Sequence, residues 1–243
     1  MKLFECQNCG QLLFFENTRC EMCGHALGYL ADRTTLSALE PLGEDRWRPL
    51  AAPEESVRFC GNAAQGACNW LVAAEGPDYF CRACRLNRTI PDLDQDHNLA
   101  LWQRLEVAKH RLVYALLRLG VPLASKQENA KQGLAFDFLS GSGRAIEGPQ
   151  VMTGHAEGVI TIDLTEADDV ERERNRQQMV ETYRTLLGHF RHEIGHHYWE
   201  RLVRGGVWHT GFRELFDDER EDYAAALEAH YANGPPQDWQ QHC

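Results

Sequence analysis

No apolar run in the 243 residues reaches the length of a membrane span. The opening Met1-Lys2-Leu3-Phe4-Glu5-Cys6 lacks the hydrophobic core of a secretion signal. Positive charge is scarce: 25 Lys+Arg stand against 36 Asp+Glu, a formal net charge of −11. Most of the excess acid lies after residue 90, where 25 acidic residues face 16 basic ones. That balance argues against a protein whose main task is gripping a nucleic-acid backbone. The expected setting is cytoplasmic, with no membrane and no nucleic-acid partner. Cysteine is nearly missing from the last two thirds of the chain: eight of the nine lie before residue 85, and only Cys243 follows. In a reducing compartment such clustering points to metal, not to a disulfide framework. The remaining composition, 43% hydrophobic and 25% charged, is that of an ordinary globular chain, long enough for one large domain or two small ones.

The first 30 residues carry two Cys-x-x-Cys-Gly knuckles, Cys6/Cys9 and Cys20/Cys23, with ten residues between them. Tight turns let each pair face one ion, and four thiolates make a closed, structural zinc site. The run Leu12-Leu13-Phe14-Phe15 suits a hairpin strand between the knuckles. Two redox dithiols would instead want a strand-to-helix junction at the cysteines, which is missing. A second set, Cys60, Cys68, Cys81 and Cys84, has only one knuckle, and seven residues separate its first two members. A second structural zinc explains it better than four cysteines packed as small hydrophobes, because this stretch has few other apolar residues to build a core. Trp47 and Trp70 are expected to cover the ribbons.

The C-terminal part holds His192-Glu193-Ile194-Gly195-His196. On a helix the two histidines lie one turn apart on one face and can offer two nitrogens to one zinc ion. Glu193 is then placed to hold and deprotonate an attacking water. A chance match in a chain with eleven histidines is the competing explanation. The helical spacing of Leu186, Leu187, Phe190, Ile194, Tyr198, Leu202 and Val203, and the stop signal Gly205-Gly206, weigh against it. His189 reads as a supporting or structural residue, and His197 as a polar residue off the ligand face.

Elsewhere, a long helix is expected over 91–120, its buried stripe marked by Leu101, Leu105, Ala108, Leu112, Ala115, Leu116 and Leu119. Its face reads as core packing. Strands are expected over 134–139 and 158–164. The second of these, just before the motif helix, is the candidate to pair with an extended substrate. The motif helix is expected from about Asn175 to Arg204, kinked near Gly188. A last helix, capped by Asp217, should follow the loop Gly205–Gly211, with Tyr223, Ala226, Leu227 and Tyr231 packing.

The two knuckles, the segment Phe80 to Pro91, the strand Gly158 to Ile162, and the stretches Phe190 to Trp199 and Phe212 to Tyr231 together resemble a bacterial family of zinc-binding metallopeptidases with an N-terminal zinc-ribbon region. The resemblance spans essentially the whole chain. It implies an α+β protein, with a metal-stabilised ribbon region over 1–90 and a mainly helical, gluzincin-like peptidase domain with a small sheet over 91–243. Three zincs are expected, one catalytic and two structural. Members of that family continue, beyond the point matching Asp238–Cys243, into a further acidic, aromatic helix able to supply a zinc ligand, so the chain reads as a truncated member. Catalytic zinc sites use three protein ligands. Within the chain the candidate for the third is Glu219, with Asp218 as its neighbouring alternative, and Asp222 could orient a histidine. An ordinary acidic first turn of a helix explains the same residues equally well. The expected function is hydrolysis of peptide bonds in a peptide or protein substrate. The alternative is a non-catalytic zinc-ribbon module that binds a protein partner, its peptidase half incomplete.

Overall fold

The computed structural model describes residues 2–95, 97–140, 154–178 and 183–234. It is a mixed α/β structure with a cysteine-rich N-terminal region, and it forms two compact units, Met1–His197 and Tyr198–Cys243.

In the first unit, β1 (Phe4–Glu5) and β2 (Leu12–Leu13) pair antiparallel, as the apolar run between the knuckles predicts. Each knuckle closes on its glycine: Gly10 N donates to the Cys6 carbonyl and Gly24 N to the Cys20 carbonyl, both at 2.8 Å. Both glycines sit at φ +75°, a left-handed conformation that costs a residue without a Cβ little.

A five-stranded antiparallel sheet follows in simple sequence order: β3 (Ala26–Leu30), β4 (Thr35–Gly43), β5 (Arg46–Pro49), β6 (Val57–Phe59) and β7 (Leu71–Ala73). It corrects the expectation that this stretch lacks a core. Leu30, Leu39, Ala52, Val57 and Leu71 are buried together, with Trp47 and Phe59 packed against them. These residues are dispersed over short strands, so no sequence window displays them as a run. Trp47 serves this core. Trp70, fully buried, lies 4.7 Å from Tyr29 and 6.1 Å from Phe15 between ring centroids and covers the first ribbon.

The second sheet has the order β10-β11-β9-β8, with β8 (Asn87–Thr89), β9 (Ala135–Leu139), β10 (Gly154–Ala156) and β11 (Val159–Asp163). β9 runs parallel to both neighbours and is buried over Ala135–Phe138 on both faces, as suits a parallel strand covered on both sides. The β10–β11 hairpin turns at Glu157 and Gly158, both at positive φ, the two-residue turn that matches strand twist. At Gly158 a Cβ would stand 2.4 Å from the Gly133 carbonyl oxygen. β11 was the expected substrate-pairing edge, but it is flanked by β10 and β9. The terminal strand on that side, among the described residues, is β10.

Helix α1 (Asn98–Leu119) starts later than Pro91 and ends on left-handed Gly120. Leu105, Ala108, Leu112 and Leu116 are buried as expected, whereas Leu119 is exposed. The buried face is wider than the apolar stripe and takes in Glu106, Lys109 and His110. Helix α2 (Asp169–Gln178) and helix α3 (Leu186–Tyr198) replace the single kinked helix expected over 175–204. Thr185 is the reason α3 starts where it does. Its Oγ1 accepts the Gly188 N–H at 3.1 Å and its carbonyl the His189 N–H at 2.9 Å, which satisfies first-turn donors as an N-cap does. Phe190 of α3 is fully buried, with ring centroids 5.6 Å from Phe136 and 6.2 Å from Phe138 of β9.

In the second unit, a π-helical turn (Trp199–Val203) runs to Gly205 at φ +67°. Helix α4 (His209–Phe216) occupies part of the expected loop, and α5 (Tyr223–Asn233) follows. Asp222, not Asp217, caps α5: its Oδ1 accepts the N–H of Ala224 at 2.9 Å and of Ala225 at 3.1 Å. Asp217, at φ +64°, lies in the turn after α4. Tyr223 and Tyr231, expected to pack, are exposed. The sequence Gly234-Pro235-Pro236 predicts the end of this helix; Gly234 follows α5 at φ +67°, and the two prolines lie outside the described residues. Among those described, no helix is long and apolar enough to cross a membrane.

Candidate metal centres

Cys6, Cys9, Cys20 and Cys23 converge, and so do Cys60, Cys68, Cys81 and Cys84; in each group the sulfurs lie within 4.8 Å of one another. The separations Cys6–Cys23 and Cys9–Cys20 are 3.6 Å, and Cys68–Cys81 is 3.7 Å. Four sulfurs around a tetrahedral zinc at about 2.3 Å stand about 3.8 Å apart, so both groups have the dimensions of zinc sites. The irregular spacing of the second set is taken up by a 3-10 turn (Gly61–Gln65) between Cys60 and Cys68 and by β7 between Cys68 and Cys81. Its charges also call for a cation. Hydrogen bonds from Cys68, Cys81 and Cys84 push the Cys60 thiol far down. Burial drives Cys68 up, and the bond to Cys60 raises Cys84. Without a cation, one thiolate is held at its neighbours' expense.

Helix α1 adds a layer that the sequence reading took for core. His110 Nε2 lies 3.3 Å from Cys68 Sγ and 3.6 Å from Cys84 Sγ. Its Nδ1 lies 2.6 Å from the Glu106 carbonyl oxygen, which can only accept, so Nδ1 carries a proton. Burial alone would push His110 down, but its contacts with Cys84 and Glu106 outweigh it and raise it. Lys109 is fully buried against Glu106, at 2.7 Å, and Asn87. The missed signal was Glu106-x-x-x-His110, a carboxylate and an imidazole one helical turn apart.

In α3 the Nε2 atoms of His192 and His196 stand 3.2 Å apart on an exposed face. Two nitrogens of a tetrahedral zinc site at about 2.05 Å would be about 3.3 Å apart, so this pair too fits one ion. Glu193 beside them is buried. Burial alone would raise its carboxyl, but the neighbouring His189 outweighs it and lowers it. His189 bridges two carboxylates: Nε2 is 3.4 Å from Glu193 Oε1 and Nδ1 is 3.4 Å from Glu166 Oε2. Glu166 Oε1 accepts from Arg184 Nη2 at 2.7 Å. His197 is buried, its ring 5.8 Å from and edge-on to that of His155, while His155 lies parallel to His196 at 6.5 Å. Within Met1–His197, no third Cys, His, Asp or Glu among the described residues joins the His192–His196 pair.

Glu219 belongs to the second unit. Its Oε1 is bonded to His209 Nε2 at 2.9 Å and to Arg213 Nη2 at 2.6 Å, and Arg213 chiefly holds its carboxyl down at about 2. Asp218 pairs with Arg220 at 2.5 Å. Asp222 is the α5 cap described above.

Residues 98–243 match a family model described as "putative zinc-binding metallo-peptidase", and residues 3–95 match a zinc-ribbon domain. The chain belongs to this zinc-binding metallopeptidase family. The metallopeptidase match takes in α1 and the His192–His196 pair, and the zinc-ribbon match takes in both cysteine clusters. The chain is similar to uncharacterized proteins of Mycobacterium bovis and of two strains of Mycobacterium tuberculosis, each 42% identical over 241 residues. The alignment covers 99% of this chain and 66% of each relative, so the chain spans just under two thirds of their length. No solved structure matches the chain.

Proposed function

We propose that this metallopeptidase family member is a zinc-dependent peptidase with a gluzincin-like domain, cleaving peptide bonds at His192-Glu193-x-x-His196 while two four-cysteine zinc sites hold the N-terminal region. The observation that carries this reading is the 3.2 Å Nε2–Nε2 separation with the buried Glu193 beside it. Hydrolysis needs a base to take a proton from water as its oxygen attacks the carbonyl carbon. It then needs an acid to give that proton to the departing amine. Glu193 is placed to take the first role as a carboxylate and, once protonated, the second as an acid. Zinc held by the two histidines would supply the Lewis acidity that polarises the carbonyl and acidifies water. Glu219 is proposed as the third protein ligand. It would have to exchange His209 and Arg213 for the metal.

The test is zinc per chain together with hydrolysis of an unfolded protein substrate such as casein. The wild type should hold about three zincs, two in the ribbons and one at the histidines. Glu193→Gln should keep all three and lose turnover by about two to four orders of magnitude. Glu219→Ala should lose one. Two zincs in the wild type with no hydrolysis would instead favour a zinc-ribbon module that binds a protein partner.

A further inference from the structure

The ion-pair chain behind the motif does something that the two-histidine, one-glutamate arrangement does not account for. Four side chains alternate in sign in a line: Arg184, Glu166, His189 and Glu193. Successive contacts are 2.7, 3.4 and 3.4 Å, and the side-chain exposures are 13, 7, 15 and 9%. They come from three places in the chain. Glu166 lies in the 3-10 turn Leu164–Ala167 directly after β11, Arg184 lies just before α3, and His189 and Glu193 are one turn apart on α3.

We infer that His189, clamped by Glu166 and Arg184, is a positioning residue that fixes the Glu193 carboxylate through Oε1. This leaves Oε2 as the oxygen for the water to be activated. The inference rests on the reading of Glu193 as the base. A buried carboxylate on a helix can rotate about its side-chain torsions, and a base off by about 1 Å costs about a hundredfold in rate. His189 alone could not supply the stiffness, because its own ring can turn. Glu166 holds Nδ1 by a 3.4 Å hydrogen bond while Glu193 pairs with Nε2 at 3.4 Å, so a carboxylate faces the ring at each nitrogen. Glu166 is fixed in turn by Arg184 and by its place in the turn, where its own carbonyl accepts from Arg172 Nη1 at 3.0 Å. Among the described residues Glu193 Oε2 has no such partner. A purely structural ion pair would need neither the double clamp nor a terminus at the residue between two zinc-spaced histidines.

The experiment uses the full, zinc-loaded chain. Urea-unfolding midpoints are measured for Glu166→Gln, Glu193→Gln and the double variant, and again in a His189→Gln background. The two glutamates make no direct contact in the chain of pairs, so coupling between them must pass through His189. Their effects should be non-additive with His189 present and additive without it. Steady-state hydrolysis is the second arm. Glu166→Gln should lower kcat about a hundredfold with KM within about twofold and zinc content unchanged. Glu166→Asp, which keeps the charge, should recover part of kcat and guards against a variant that merely unfolds. Additive effects in both backgrounds overturn the relay. So does an active wild type whose kcat survives Glu166→Gln. A wild type that hydrolyses nothing overturns the peptidase reading instead, and the unfolding cycle still decides the relay by itself.

Discussion

Replacing Lys109 by Met tests how the core around α1 tolerates charge. Lys109 and Glu106 are both fully buried, 2.7 Å apart, and Asn87 bridges them. The Lys109 ammonium also lies 6.0 and 5.6 Å from the ring centroids of Phe136 and Phe138. Met keeps most of the apolar stem, so little cavity forms. What is lost is the partner of a buried carboxylate, a change that costs about 3–5 kcal/mol. The cation–π contacts add up to about 2 kcal/mol where desolvated, but the Asn87 amide still bonds Glu106 at 2.8 Å and offsets part of the loss. A net cost of about 4 kcal/mol follows, which is about a quarter or more of a typical domain's stability. With a urea slope of about 2 kcal/mol/M, the unfolding midpoint of zinc-loaded protein should fall by about 2 M. Lys109→Met/Glu106→Gln removes the stranded charge and should recover most of that shift. A single variant within about 0.5 M of wild type, or a double variant as unstable as the single, would show that the buried pair does not stabilise the fold.

Two further outcomes follow. Phe190→Ala empties a fully buried site between Phe136 and Phe138 and should cost about 3–5 kcal/mol in denaturant unfolding; a loss below about 1 kcal/mol is incompatible with this packing. His189 is raised from 6.5 to about 9, burial opposing and Glu166 and Glu193 prevailing, so its stabilisation is full below pH 6.5 and disappears as pH rises through about 9. Glu166 is lowered from 4.5 to about 2, against the opposing effect of its burial, by His189 and Arg184, so its contribution is present above pH 4.5 and lost as pH falls through about 2. Wild type should therefore lose stability relative to His189→Gln between pH 6.5 and 9, by at most about 3 kcal/mol, and parallel curves across that window would refute the pairing.

What was legible in the sequence were features whose signal is local. The two-knuckle ribbon, the His192–His196 turn and the apolar stripe Leu105 to Leu116 depend on spacing within one element, and spacing can be read. The five-stranded sheet escaped because its core draws one or two residues from each short strand, and pairing across strands leaves no periodic trace in any one of them. The motif helix was drawn too long because the sequence carries no local stop before Leu186, while the N-cap of Thr185 depends on a hydroxyl turning back on the backbone. Glu106, Lys109 and His110 were read past because a buried charge looks like a surface charge until its partners arrive from Asn87 and Cys84, some 20 residues away. The chain Arg184–Glu166–His189 was missed for the same reason.

The placement of β8 has a kinetic consequence. It begins three residues after Cys84 and pairs in parallel with β9, some 50 residues further along the chain. Parallel pairing over such a separation must close a long loop before it gains any contact, which makes it slow. The ribbon region and the β3–β7 meander need only short-range closures, and their four-cysteine sites gain folding free energy as soon as metal binds. Once Cys84 is held, β8 is already set in place beside it and presents a fixed edge on which β9 and then β11 can dock. On this reasoning metal capture at the N-terminal end would come before the sheet of β8, β9 and β11 assembles. A chain made under zinc starvation would lose the second sheet as well, without any change to a residue in β9, β10 or β11.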